Sequence, residues 1–159
     1  MPLLPLLSLL LALLGPGTAP DPAPPRPVVV LHDWDQQRAA AWATSDVAGL
    51  RALYTAGSSA GAVDVAMLRA WRERDLRVEG MRMQVLSVSV RADTGRRLVL
   101  VVTDRLASAV AVGAGVRRPL PRDAVSTRRL VLVRAAGEWR MAQVRPAPST
   151  SSTVRSWNR

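Results

Sequence analysis

The apolar positions of this chain change their period once. From residue 29 to about residue 75 they recur every three or four residues, and from residue 84 onward they alternate or run together. The first spacing lines one face of a helix and the second lines one face of a strand. Trp34, Arg38, Ala41 and Trp42 keep the helical spacing, as do Leu31, Asp35 and Arg38, and predict a first helix over residues 29–43. Ala-rich residues 39–43 favour it by propensity. Thr44, Ser45 and Asp46 interrupt the run with oxygens able to accept from exposed backbone N–H groups, so a second helix restarts there. Its apolar face holds Val47, Leu50, Leu53 and Tyr54, and residues 57–59 (GSS) end it. Asp64 reads as the cap of a third helix, through Val65, Leu68, Ala70 and Trp71 to about Asp75, with Arg69, Arg72, Glu73 and Arg74 on its solvated side. Residues 84–90 (QVLSVSV) then alternate, and residues 98–102 (LVLVV) are apolar throughout, as in a central strand. Residues 109–112 extend the sheet, and residues 127–134 and 138–144 form a hairpin across Ala135, Ala136 and Gly137. Helices followed by antiparallel strands make an α+β domain, with the helices on one face of the sheet.

The two ends carry different signals. Residues 3–14 are apolar except for Pro5 and Ser8. As a helix this run is about 18 Å long, too short for a hydrocarbon core of about 30 Å, and it has the length of a signal-peptide core. No basic residue precedes it, and Pro20 follows the small residues Gly17 and Ala19 where cleavage would fall. A start further upstream would make it a longer signal or a membrane anchor. The organisation expected is a signal peptide or anchor over 1–19, a Pro-rich extended linker over 20–27, a folded domain over 28–145 and a disordered Ser/Thr-rich tail over 146–159. An extracytoplasmic location follows, secreted or anchored through the amino terminus.

Composition narrows the chemistry. With no cysteine in 159 residues, disulfides, thiolate nucleophiles and cysteine metal sites are excluded, and His32 alone makes no multi-histidine site. No motif calls for a cofactor. The net charge is +10, and all 22 basic residues are Arg. A GC-rich genome accounts for much of that. The functional reading is an anion-binding surface for nucleic acid, anionic lipid or a cell-wall polymer.

A tryptophan-bearing first helix, a Ser45-Asp46 restart, Leu50 to Tyr54 as Leu-x-x-Leu-Tyr, then Gly57-Ser58 resemble the nuclear transport factor 2-like superfamily, which includes polyketide cyclases (SnoaL) and ketosteroid isomerases. Residues 133–144 (VRAAGEWRMAQV) match the way such domains end. The resemblance covers residues 29–145 and looks closest to exported actinobacterial members. It implies a strongly curved antiparallel sheet that makes a cone with amino-terminal helices, the cystatin-like arrangement, often around a pocket. It also makes a homodimer through the open sheet face plausible. It does not imply one function.

An isomerase-like site needs a carboxylate base facing the cone and an oxyanion donor such as Tyr. Asp104, at the end of the apolar strand, and Tyr54, the only Tyr, are the candidates. The ordinary reading pairs Asp104 with a neighbouring Arg such as Arg105 and packs Tyr54 at a helix end. His32, Asp33 and Asp35 read as a polar first turn rather than metal ligands, and residues 55–62 lack the Lys of a phosphate loop. Arg117, Arg118, Arg122, Arg128 and Arg129 against Asp123 form a basic loop, either solvated or docking an anionic membrane or cell-wall surface. No aromatic lies among them, which disfavours nucleic acid. Trp42, Tyr54, Trp71 and Trp139 fill the core or line a pocket, with Trp71 and Trp139 able to face each other from different layers. The function expected is a non-catalytic binding domain of the cell envelope, with an unknown protein or a small apolar ligand as partner. The alternative is a small-molecule enzyme of the cyclase or isomerase type.

Overall fold

The computed structural model describes residues 26–148. The signal or anchor over 1–19, most of the linker and most of the tail lie outside them. Helix α1 (Arg26–Thr44) is longer than its periodicity predicts and takes in Arg26 and Pro27, which were expected in the linker. Proline is tolerated in a first helical turn, where its missing N–H costs no hydrogen bond. Among the described residues, no helix is long and apolar enough to cross a membrane.

The chain does restart its helix at residues 44–46. Ser45 takes a positive φ of 55°, and the Asp46 carboxylate accepts from Gly49 N at 2.8 Å, capping α2 (Val47–Ala52). Asp64 does not cap α3 (Ser59–Arg72), because Ser58 Oγ does so by accepting from Gly61 N. That frees Asp64 to sit mid-helix with its side chain directed inward.

Among the described residues five strands follow: β1 (Arg77–Asp93), β2 (Arg97–Gly113), β3 (Val116–Pro119), β4 (Ser126–Ala135) and β5 (Glu138–Pro146). All pairs are antiparallel, in the order β1-β2-β4-β5. β3 pairs with the far end of β2, along the edge whose near end takes β4. β2 is one strand through the whole region that the apolar pattern divides in two, so Asp104 lies mid-strand and not at a strand end. Part of the predicted basic loop is likewise strand β3. Two turns have paired positive-φ residues, Ala114-Gly115 and Ala136-Gly137, as two-residue hairpins require. The β1–β2 ladder slips register at four places, and such bulges bend and twist a sheet. The sheet bends around the helices. Leu98, Leu100, Val102, Leu130, Leu132 and Met141 pack from its inner face against Leu31, Trp34, Trp42, Leu50 and Leu68.

Candidate functional site

The core leaves a cavity of about 590 Å³ between the helices and the inner face of the sheet. That size suits a small-molecule site. Its walls are mostly apolar, including Leu106, Ala109, Leu120 and Met141, and the exposed Val63 and Met67 of α3 contribute to its lining. A broader space of about 970 Å³ runs between α1 and β1. The two share Leu31, Asp35, Arg38, Met81 and Met83.

Three donors converge on Asp64 inside the cone. Arg38 is bidentate, with Nε and Nη2 each donating at 2.7 Å. The Tyr54 hydroxyl donates at 2.8 Å and Trp42 Nε1 at 3.3 Å. Burial opposes the Arg38 charge, but the hydrogen bond and charge of Asp64 outweigh it and hold the guanidinium protonated. Burial, then the Asp64 charge, push the Tyr54 phenol up. Its proton is committed to Asp64, so Tyr54 is not free to serve as the oxyanion donor the isomerase reading asks for. Gly61 lets this happen. A Cβ there would lie 2.6 Å from the Tyr54 ring, so only glycine admits the ring so close to α3.

The second polar group spans helix and sheet. Asp104 is 2 % exposed, and its Oδ2 accepts from Arg128 Nη2 at 2.5 Å. Its partner therefore comes from β4 and is not Arg105, whose side chain leaves the opposite face and donates to Gln84 at 2.8 Å. Asp104 Oδ1 and Arg128 Nε are buried without a hydrogen-bond partner among the described residues. Asp35 comes from α1 into the same region. Burial raises its carboxyl to about 6, Arg38, Arg128 and His32 oppose the rise, and Asp104 adds to it. His32 itself is exposed and bonded to Gln36 at 2.7 Å.

The predicted residues thus divide. Tyr54, Trp42, Trp71 and Asp104 line the cone; Trp139 does not. Trp71 meets Trp42 edge-on at 6.0 Å, whereas Trp139 lies under Arg26 at 5.7 Å, because it stands at the start of β5 beside the first turn of α1. The basic cluster is also dispersed. Arg128 turns into the cone, Arg117 pairs with Glu79 at 3.1 Å, and Arg129, the next residue of the strand, faces out. Arg118 is exposed on β3, and Arg122 lies in the segment that follows it. Arg38, Asp64 and Trp34 were not expected as site residues, and Asp35 was read only as part of a polar first turn. Leu31, Asp35 and Arg38 at i, i+4 and i+7 carried the signal for two of them, since that spacing shares one helix face. Asp64 was masked by its resemblance to a cap.

No family model and no curated protein matches the chain. Solved structures do. The intermembrane space region of the chloroplast protein ARC6 aligns over 76% of this chain and 93% of its own, at 12% identity and a TM-score of 0.53. Aln2 from a Streptomyces species aligns over 77% and 92%, at 16% identity and 0.51. ActVI-ORFA from Streptomyces coelicolor aligns over 76% and 93%, at 16% identity and 0.50. The chain has the nuclear transport factor 2-like fold. Within it, α1 to α3 pack on the inner face of the sheet, and β2 pairs with β1 on one side and with β3 and β4 on the other. At these identities the likeness concerns the fold alone, and function rests on the side chains.

Proposed function

We propose that this domain is a non-catalytic binding module whose cone takes up a small, mainly apolar molecule, and that its apolar amino-terminal run places it outside the cytoplasm. The observation that supports this is the cavity of about 590 Å³ whose polar groups are largely tied to one another. Trp42, Tyr54 and Arg38 are committed to Asp64, and Arg128 to Asp104. Such groups orient a ligand and fix a cavity's shape, but they have few free protons to exchange. ARC6, whose intermembrane space region shares the fold, is a precedent for a non-cytoplasmic setting of this architecture.

A second reading has one observation in its favour. Asp35, held up to about 6, is a half-buried carboxyl of the cone with no hydrogen-bonded partner among the described residues. A carboxyl with that value is suited to acid–base work near neutral pH.

Native mass spectrometry of the full chain purified from its own host separates the two. A retained small molecule that stays chemically unchanged on incubation, and is lost from an Ala109→Leu variant with unchanged circular dichroism, is the expected result. An empty chain that also fails to bind Nile red in the cone sinks the proposal. Turnover that rises through about pH 6, as Asp35 becomes a carboxylate, and disappears in Asp35→Asn belongs to the enzyme. Recovery of the chain from the cytosolic fraction alone would refute the location.

A further inference from the structure

We propose that Arg82, Arg105 and Arg122, with Gln84, form a binding site for a phosphate group on the outer face of the sheet. The site is a notch of about 350 Å³ that brings together β1, β2 and the segment between β3 and β4. It adjoins the inner cavities, sharing Met83 with the cone and Arg82 with the space between α1 and β1, but none of its three arginines lines the cone.

Its construction follows from strand geometry. Successive side chains of a strand point to opposite faces, so Asp104 faces the cone and Arg105 leaves the other side. Gln84 is the cross-strand partner of Arg105, and its Oε1 accepts from Arg105 Nε at 2.8 Å. That bond fixes the guanidinium plane and leaves both of its terminal nitrogens available. Arg82 precedes Gln84 by two residues and lies on the same side. Between the pairs Arg82–Ser108 and Met83–Leu106 the ladder skips Ala107, which lines the notch. Such a bulge re-aims the side chains around it. Arg122 arrives from the segment that Leu120 fastens to β2, its backbone N–H donating to Ala109 O at 2.9 Å. The next residue, Asp123, lines the cone instead of the notch.

The result is three arginines around one depression with no carboxylate lining it. Among the described residues none of the three is in an ion pair, whereas Arg26, Arg38, Arg77, Arg117 and Arg128 all are. Like charges held together in a folded chain repel unless an anion joins them. Guanidinium forks match the oxygens of a phosphate two at a time, and three forks match a tetrahedral anion better than a planar carboxylate. No aromatic ring lines the notch, so nothing there stacks on a nucleotide base. A phosphate on a lipid headgroup and a phosphate on a soluble molecule present the same chemistry.

Calorimetry on the full chain with inorganic phosphate, against chloride at matched ionic strength, tests the site. A triple variant, Arg82→Gln, Arg105→Gln and Arg122→Gln, is compared with a control of equal charge loss on the exposed side of α3: Arg69→Gln, Arg72→Gln and Arg74→Gln. Flotation with phosphatidylglycerol and phosphatidylcholine vesicles supplies the second arm, the amino-terminal run being common to all proteins. We expect saturable binding to phosphate or to phosphatidylglycerol vesicles that the notch variant weakens at least about tenfold and the control leaves intact. Arg105→Lys, which keeps the charge and loses the fork, should show part of that loss. Notch-dependent binding to vesicles alone assigns a headgroup; notch-dependent binding to phosphate without vesicles assigns a soluble ligand. Equal weakening by both variants would mean that net charge alone acts, and binding to neither probe would mean no site; either result overturns the proposal.

Discussion

Asp64 is the residue on which the interior most depends. It is 6 % exposed and holds a guanidinium that is itself largely inside the protein. A buried ion pair adds little net stability over an apolar substitute, but removing one partner strands the other charge. Asp64→Ala should therefore cost about 3–5 kcal/mol. Tyr54→Phe, which removes one neutral donor of the three, should cost only about 1 kcal/mol. Urea denaturation of the two variants measures the contrast, and equal losses would contradict the assignment of Asp64 as hub. None of this was legible from the sequence, where a lone Asp between Val63 and Val65 reads as a cap. The identity of the partners Arg38 and Tyr54 depends on which turns of α1 and α3 come to face each other. The Asp104–Arg128 pair was half legible. Asp104 stood out as a strand carboxylate, but the partner came from an adjacent strand and not from the next residue, because neighbours along a strand point apart.

At the scale of elements, turns and restarts were the most readable features. Asp46 caps the helix its side chain predicts, and the β4–β5 hairpin turns at Ala136-Gly137 as expected. Strand lengths were not readable. β1 and β2 each run 17 residues, beyond their apolar cores, because pairing with each other satisfies their backbone groups even where side chains are polar. The end of β2 also shows where backbone, not side chain, is decisive. Gly113 has φ 125°, and a Cβ there would meet Asp75 O at 1.9 Å. Both the conformation and the contact reject any other residue. Gly113→Ala should destabilise the domain by more than the roughly 1 kcal/mol typical of a glycine-to-alanine change in a strained position, because the carbonyl it meets belongs to the backbone. Thermal melts followed by circular dichroism provide the measure; an unchanged midpoint would show that the α3–β1 connection yields freely.

Over the whole molecule, charge is sorted by face. The cone carries Asp35, Asp64, Asp104 and Asp123 with only Arg38 and Arg128 to balance them. On the outer face of the sheet, Arg129 stands directly opposite Arg145, and Arg105 lies on the same side. Val99 and Val131 are buried there, outside the main core cluster, where long arginine stems can cover them. Two copies meeting through these faces would bring arginines against arginines. The chain should be a monomer at low ionic strength by light scattering, with any association appearing only as salt screens the repulsion. A stable dimer at low salt would show that the copies meet elsewhere, or that an anion joins them.

The order of periods along the chain, the capping residues and the hairpin turns determined the α+β class, because each is a local property of a few neighbouring residues, whereas the cone was implied only by the resemblance to a family. The absence of cysteine fixed what chemistry was excluded in the same way. Which arginines stand alone, which aspartates face inward and which aromatic rings meet were decided only by the tertiary structure. Each depends on the register of strands and the facing of helices, and a shift of one residue in a strand sends a charge from the cone to the outer face.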